Sequence, residues 1–290
     1  MSLTAAGPAV IARQLYRNDV RHTPVASPEL LTDAHRDHYW SQGYLAVENV
    51  FTPAEVEAAK AGLSFLIGGG KPDFTGVEFE AGVDVSGMTP DERERYVRKL
   101  MWFADHDPRL GAMAAAPALV KIVEWLLGER ANMIQDMAML KPPHLGREKP
   151  WHQDDAYFMI EPLDAVIGTW TALDEATPEN GCMHVIAASH KLGAKPHYHD
   201  RDCQLADEDV DVSRDVVCPL KPGGVLLFHG LIHHGTPPNS SPLRRRAVQF
   251  HFATASSRRT TAEDHAKFFH DPKGMAACTG MKWRNIADKF

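Results

Sequence analysis

The chain has 290 residues and a formal net charge of −7, with 44% hydrophobic and 24% charged residues. These proportions are ordinary for a soluble globular protein with a real core. The acidic balance argues against a general nucleic-acid binder, which normally presents a basic face.

The cysteines and the N-terminus indicate the compartment. Cys182, Cys203, Cys218 and Cys278 form no Cys-x-x-Cys pair, so their spacing predicts neither a zinc knuckle nor a disulfide framework. A reducing cytosol is the simplest setting, and the N-terminal stretch lacks the basic segment of a signal peptide. No run approaches the roughly 18 apolar residues of a membrane span. We therefore expect a cytoplasmic protein that binds neither membranes nor nucleic acid.

The first part of the chain predicts an irregular arm followed by helices. Residues 1–28 show no regular pattern, whereas residues 29–131 predict a mainly helical layer. Its first helix stops at Gly43 and is followed by a short strand from Tyr44 to Val47.

Two further helices follow in this layer. One has Thr52 as N-cap, a proline at its first helical position and an end at the glycine run 68–70. The other covers Pro117 to Leu127 and is closed by a glycine. Between them, the polar and glycine-rich residues 71–95 predict a loop.

From residue 132 the pattern changes to short apolar or alternating runs, separated by turns that contain proline, glycine and asparagine. Residues 132–255 therefore predict an all-β barrel or a double-sheet jelly roll, flanked by the N-terminal helices. Residues 256–290 are a C-terminal extension. No segment repeats at a fixed period, so we expect one domain over residues 1–290.

The stretch KPWHQDDAYF, residues 149–158, places His152 and Asp154 two residues apart. In a strand, such residues point to the same face, so the two side chains are expected to converge on a metal ion. A β-rich double sheet brings distant strands together, and a late histidine is then the third ligand. The candidates are His229, His233, His234 and His251.

This set of ligand types favours one metal. Two histidines and one carboxylate leave three adjacent positions of an octahedral metal open, which suits Fe(II) with a bidentate 2-oxo acid and O2. Zinc is more often satisfied by four tetrahedral ligands.

A 2-oxo acid also needs a partner for its far carboxylate, and arginine pairs with carboxylates bidentately. The run from Arg244 to Arg246 enters a predicted strand. Because strand residues alternate between faces, Arg244 and Arg246 are expected to share one face and Arg245 the other.

Several motifs together resemble the phytanoyl-CoA dioxygenase family. They are HQD at 152–154, Trp170, NGCMHVIAASH at 180–190 and FHGLIHHGTPPNSSPLRRRAVQFHF at 228–252. The resemblance runs from about residue 30 to about residue 255. It implies a fold that is mainly β with flanking helices, around a double-stranded β-helix (jelly-roll, cupin-like) core. It also implies an oxygenase that uses Fe(II), 2-oxoglutarate and O2.

Carried over position by position, the resemblance implies that His152, Asp154 and His234 bind the iron. Arg245 is implied as partner of the far carboxylate of 2-oxoglutarate, with Thr236 beside it. The other implied cosubstrate residues are Trp170, Met137, Lys99 and Gln135. His233 stands where the family commonly has an apolar residue, and alternation puts it on the face opposite to His234.

Other residues near these motifs have competing interpretations. Gln153, Tyr157 and Phe158 are candidates for substrate contact, with core packing as the alternative for the aromatics. Asp155 is expected to lie behind the ligands or on the surface. His184, His229 and His251 are interpreted as structural, Arg244 and Arg246 as solvated or ion-paired. The cluster of Lys141, Arg147 and Lys149 is interpreted as a charged loop, with phosphate or coenzyme A binding as the alternative.

The predicted function is that of an Fe(II)- and 2-oxoglutarate-dependent dioxygenase that hydroxylates an unactivated C–H bond of a small molecule and releases succinate and CO2. The polar loop 191–215 favours a polar substrate over an acyl-CoA. Three alternatives remain: acyl-CoA oxidation, a non-catalytic jelly roll that binds metal, and a zinc or manganese hydrolase or isomerase. A monomer or a homodimer is expected.

Replacing Asp154 by alanine is the direct test of the ligand assignment. Asp154→Ala is expected to abolish succinate formation from 2-oxoglutarate, because the metal loses its only carboxylate ligand. Wild-type turnover in this variant would contradict the assignment.

Overall fold

The computed structural model describes residues 14–270. Its α-helices lie before the β-rich part, except for one near the C-terminus. They are α1 Asp33–Gln42, α2 Pro53–Ile67, α3 Pro90–Glu94, α4 Pro108–Ala114, α5 Pro117–Leu127 and α6 Ala262–Phe269.

The strands run from β1 to β15 in chain order. They are β1 Tyr44–Val47, β2 Val77–Phe79, β3 Val97–Met101, β4 Ala131–Lys141, β5 Lys149–His152, β6 Ile160–Glu161, β7 Val166–Ala172, β8 Met183–Ile186, β9 Tyr198–His199, β10 Cys203–Gln204, β11 Asp215–Cys218, β12 Val225–His229, β13 His234–Thr236, β14 Arg245–Thr254 and β15 Arg258–Arg259.

Two antiparallel sheets form the β core. The larger has seven strands in the order β1-β12-β7-β14-β4-β3-β2, and the smaller has four in the order β11-β8-β13-β5. Among the core strands from β4 onward, β4, β7, β12 and β14 lie in the larger sheet and β5, β8, β11 and β13 in the smaller, as in a double-stranded β-helix. The prediction of a mainly β, cupin-like fold with flanking helices is confirmed.

The predicted helix ends are also confirmed. Thr52 and Glu55 form a capping box at the start of α2, with the Thr52 hydroxyl accepting from the Glu55 amide. Gly43 ends α1 in the left-handed conformation, with a φ of 88°, which glycine adopts without strain. That stop turns the chain directly into β1, which pairs with β12.

The prediction of a loop over residues 71–95 is wrong in part, and the layer before residue 131 is not only helical. The strand β2 and the helix α3 lie within 71–95. Strand β3 pairs with both β2 and β4, so this region adds two strands to the edge of the larger sheet. These strands are too short and too charged to show a clear alternation in the sequence.

A β-bulge explains why β3 breaks the alternation. Glu78 pairs with Lys99 and the next residue, Phe79, pairs with Val97, so Arg98 is an extra residue on β3. A bulge re-aims the side chains around it. Val97 and Leu100 pack into the core against the helices, which leaves Arg98 and Lys99 free to face the inside of the barrel.

Two apolar clusters hold the layers together. The helices α2, α4 and α5 pack on the outer face of the larger sheet, and the inner faces of the two sheets meet around Trp170, Phe228 and Val185. The described part of the predicted arm adds single bridges, from Arg21 to Val217 and from Val25 to Val47. Residues 1–13 of the arm and 271–290 of the extension lie outside the described range.

One helical stretch of the described chain, Pro108–Leu127, is long and apolar enough to cross a membrane by those two criteria, with a mean hydropathy of 1.6. No run of this length and apolar character was expected from the sequence. The stretch is α4 and α5 with a break at Ala115 and Ala116, and the apolar faces of both helices pack into the core. The packing accounts for the apolar character.

The cysteines depart from the sequence reading at one position. Cys182 and Cys218 are free and buried, but Cys203 is disulfide-bonded. The prediction of no disulfide framework did not anticipate this bond, because spacing along the chain does not show whether a single cysteine is paired.

The packing of Gly168 generates a stability prediction. A Cβ at Gly168 on β7 would lie 2.3 Å from the Phe228 ring on β12. Gly168→Ala is therefore expected to lower the free energy of unfolding by about 1–3 kcal/mol through overpacking. Adding Phe228→Leu, which shortens the ring that the methyl meets, is expected to recover part of that loss in a urea titration. Additive effects of the two substitutions would show that the ring is not the cause.

Candidate active site

His152, Asp154 and His234 come together in the space between the two sheets. His152 is the last residue of β5 and pairs directly with His234, the first residue of β13. Their ring centroids are 4.1 Å apart, and one potential ligand atom from each of the three residues lies within 4.8 Å of the others. Asp154 is not on the strand: it begins a 3₁₀ turn over Asp154–Ala156. The two side chains converge as expected, but not through a shared strand face: the turn after β5 places the Asp154 carboxylate beside His152.

Backbone carbonyl groups fix the two imidazole rings. Nδ1 of His152 donates to the Pro150 carbonyl at 2.7 Å, and Nδ1 of His234 donates to the Ile232 carbonyl at 3.1 Å. Nδ1 of each ring therefore carries a proton, and each Nε2 faces Asp154 Oδ1, at 3.4 and 3.5 Å. Nε2 of His234 is buried without a hydrogen-bond partner. Two ring nitrogens and a carboxylate oxygen that face one another in a buried space are a ligand set that fits a cation.

His251 holds the second oxygen of Asp154. Its Nε2 lies 2.7 Å from Asp154 Oδ2, and both side chains are almost fully buried. This hydrogen bond leaves Oδ1 to face the two histidines. His251 was interpreted as structural from the sequence; the contact gives it a definite partner in the ligand set. A single sequence offers no sign of it, since the two residues are 97 positions apart.

The electrostatics suit a metal ligand set. Burial, and then the neighbouring His234, lowers the pKa of His152 to about 4, so that its imidazole is neutral near pH 7. Burial opposes the ionisation of Asp154, but His234 and His251 outweigh burial and hold the pKa of that carboxyl well below its usual range. A neutral imidazole and an ionised carboxylate are the forms that bind metals.

Arg245 reaches the same space from β14. Its side chain is fully buried, and Nη1 donates to the Met139 carbonyl at 2.9 Å. Nε and Nη2 are buried without a hydrogen-bond partner, and the guanidinium lies 5.2 Å from the centre of the Trp170 ring. Burial lowers the pKa of Arg245 to about 10, which leaves it charged at neutral pH. The buried hydroxyl of Thr236 also lacks a partner.

A cavity of about 300 Å³ connects these groups. It is also lined by Trp170, Met137, Lys99, Gln135, Tyr157 and Phe158, all of which the sequence singled out. Gln153 is not among the lining residues. Its amide nitrogen donates to the carbonyls of Gly193 and Leu231, and its oxygen accepts from the Lys195 amide, so it braces the loop behind His152.

Sequence reasoning missed several lining residues. They are Arg98, Met101, Met139, Asp202, Met183, Gly235 and Gln249; Lys149 also lines the cavity and belongs to the cluster for which phosphate or coenzyme A binding was the alternative. The interpretation of Lys141 and Lys149 as part of a charged loop is wrong, because they lie on β4 and β5. Lys141 is buried and donates to the carbonyls of Arg147, Thr236 and Pro237.

The other residues that the sequence analysis discussed do not line the cavity. As alternation predicts, Arg246 turns away from Arg245 and pairs with Asp174 and Glu94; Arg244 also pairs with Glu94. Asp155 is buried rather than exposed, and burial raises the pKa of its carboxyl well above its ordinary value. His184, His229 and His233 are buried and do not line the cavity.

A comparison with known families gives the chain its place. The family model described as "Phytanoyl-CoA dioxygenase (PhyH)" matches residues 39–247. The chain belongs to the phytanoyl-CoA dioxygenase family. The class of enzyme predicted from the sequence, a 2-oxoglutarate-dependent oxygenase, is the class of this family and of its structural neighbours.

The individual relatives have low sequence identity to this chain, but their alignments cover most of it. "Phytanoyl-CoA dioxygenase, peroxisomal" from Homo sapiens is 27% identical over 238 residues, which is 78% of this chain and 69% of the human protein. The structure of EvdO2 from Micromonospora carbonacea var. aurantiaca, complexed with 2-oxoglutarate, has a TM-score of 0.64 at 24% identity and covers 86% of this chain and 100% of its own. EctD from S. alaskensis with bound Fe has a TM-score of 0.66 at 23% identity, over 83% and 85% of the two chains.

The hydrogen bond from His251 generates a prediction about metal affinity. His251→Phe keeps a ring of similar size but leaves Asp154 Oδ2 without its donor. Fe(II) affinity, measured anaerobically, is expected to fall by about 10- to 100-fold, because ligands that lose such support bind metal less tightly. His233→Phe is the matched control, since His233 is equally buried and its ring nitrogens have no hydrogen-bond partner. Equal losses in both variants would mean that the bond does not orient the ligand.

Proposed function

We propose that the protein is an Fe(II)- and 2-oxoglutarate-dependent dioxygenase that hydroxylates an unactivated C–H bond of a small molecule and releases succinate and CO2. The observation that carries the proposal is the buried guanidinium of Arg245, with two nitrogen atoms that lack a hydrogen-bond partner, in the same cavity as His152, Asp154 and His234. A metal kept only for stability needs no such group.

The three candidate ligands fit iron in number and chemistry. His152, Asp154 and His234 would hold it through two imidazole Nε2 atoms and one carboxylate oxygen, a set typical of non-haem Fe(II) oxygenases. Bound iron and 2-oxoglutarate supply the oxidising chemistry, with O2 consumed and the cosubstrate decarboxylated. The protein supplies the fixed rings, the ionised carboxylate and the walls of the cavity.

Arg245 and Thr236 would orient the cosubstrate. A guanidinium that already donates through Nη1 to Met139 is held in place, so its free Nε and Nη2 form a preset fork for a carboxylate. The Thr236 hydroxyl would donate to the same carboxylate. Trp170 fixes the plane of the guanidinium from one side. The far end of the cosubstrate is thereby positioned before reaction, which lowers the entropic cost of the reaction.

The walls of the cavity would keep water away from the substrate carbon atom that is hydroxylated. Met137, Met139, Met183 and Phe158 give the cavity an apolar lining, and methionine adapts to irregular shapes.

We extend the proposal to a single domain over residues 1–290. A cytoplasmic location stays a prediction, because relatives include proteins named as peroxisomal. A monomeric or dimeric state is likewise a prediction.

The test is spectroscopic and anaerobic. Adding Fe(II) and then 2-oxoglutarate to the metal-free protein is expected to produce the weak visible charge-transfer band of a chelated 2-oxo acid. Arg245→Gln is expected to weaken 2-oxoglutarate binding by about tenfold or more, since a hydrogen bond to a charged group contributes about 1.5–3 kcal/mol. Arg244→Gln, one residue away on the other face, is the control and should bind as the wild type does. Iron binding without the band would favour the metal-binding module or the hydrolase.

A further inference from the structure

An alternating network of five charges runs along one wall of the cavity. Arg147 contacts Glu80 at 2.7 Å, Glu80 lies 4.0 Å from Arg98, and Arg98 contacts Asp202 at 2.9 Å. Asp202 also lies 3.3 Å from Lys149. The network therefore has a cation at each end and one in the middle. Three cations against two carboxylates leave one positive charge without a counter-charge in the network.

The inner part of this network faces the candidate active site. Arg98, Asp202 and Lys149 line the same cavity as the ligand triad, while Arg147 and Glu80 are not among the lining residues. The side chains of Arg98 and Lys149 are only 9% and 16% exposed, whereas Asp202 is 32% exposed. The β3 bulge places Arg98 here, and β5 carries Lys149 three residues before His152.

Arg98 has donor capacity to spare, and two of the three contacts of Lys149 are long. Arg98 makes one hydrogen bond with the described residues, from Nη2 to Asp202, and its Nη1 is too far from Glu80 for a second. Lys149 has one short hydrogen bond, to the Tyr157 hydroxyl at 2.8 Å, and longer contacts of 3.3 and 3.4 Å to Asp202 and the Cys203 carbonyl. A second anion can therefore bind beside Asp202 without breaking a short bond.

The cations of this wall stabilise the negative charge of Asp202. Burial opposes the ionisation of Asp202, but Lys149, the Cys203 amide and Arg98 together lower the pKa of its carboxyl to about 2. Burial lowers the pKa of Lys149, and Asp202 counteracts that effect. A further negative charge would therefore favour the charged form of Lys149.

We propose that Arg98 and Lys149 form a subsite for an anionic group of the substrate, a carboxylate or a phosphate. This rests on the proposed function, which leaves no carboxylate of 2-oxoglutarate for this wall: one binds the metal and the other binds Arg245. The apolar remainder of the substrate then lies against Met101, Met139 and Phe158 in the same cavity. The substrate class is a small anionic molecule with an apolar carbon frame.

The test uses paired probes that differ only in charge. Protein loaded anaerobically with Fe(II) and 2-oxoglutarate is titrated in a calorimeter with hexanoate and hexanamide, and with benzoate and benzamide. At least one carboxylate is expected to bind more tightly than its amide. Arg98→Gln and Lys149→Met should each weaken carboxylate binding by about tenfold or more and leave amide binding and the charge-transfer band unchanged.

Asp202→Asn is expected to change carboxylate binding in the opposite direction, which a loss of folding would not do. It removes a competing carboxylate, so the carboxylate probe should bind more tightly than it does to the wild type. The control is Arg258→Gln, which breaks an exposed ion pair with Glu161 outside the cavity. The proposal is overturned if no carboxylate binds better than its amide, or if Asp202→Asn weakens binding. It is also overturned if Arg98→Gln and Lys149→Met lose the charge-transfer band, which assigns the wall to the cosubstrate. Absence of the band in the wild-type protein would instead count against the proposed function.

Discussion

The buried guanidinium of Arg245 is the constraint around which the site is arranged. A charge removed from water costs several kcal/mol unless it is paired, and this one has a single backbone acceptor among the described residues. Its strand, β14, lies between β4 and β7 in the larger sheet, so neighbouring strands hold its backbone in place. Binding an anion here would therefore both satisfy the arginine and stabilise the fold, so affinity for the cosubstrate and stability of the barrel are linked.

The same logic explains the ligand triad. One potential ligand atom from each residue lies within 4.8 Å of the others, and the buried Nε2 of His234 has no hydrogen-bond partner, so a cation between them would replace the interaction with water that burial removes. The backbone acceptors of Pro150 and Ile232 and the His251 donor prevent the groups from turning away. Metal-free protein therefore keeps the geometry at a cost, and the metal is expected to tighten β5 against β13.

Much of this was accessible from the sequence because the signals were local. Capping residues and glycine stops fixed the bounds of α1, α2 and α5, and alternation separated Arg245 from Arg244 and Arg246. The strands β2 and β3 were missed because they are short and one carries an extra residue. The 3₁₀ turn at Asp154, the His251 contact and the disulfide of Cys203 also escaped. The turn breaks a local pattern that favoured a strand, and the other two join residues that only the fold brings together.

The single extra residue on β3 has a wider consequence. In a regular strand, neighbours such as Arg98 and Lys99 would face opposite sides, and one of them would be lost to the helix-packed core. Because of the bulge, both side chains line the cavity. The charge of this wall therefore depends on the register between the short strands β2 and β3. A length change of one residue in β2 or β3 would exchange a basic lining residue for an apolar one. The ligand preference of such a barrel can therefore change through a one-residue insertion or deletion at the edge of the sheet, without a substitution on the other strands that line the cavity.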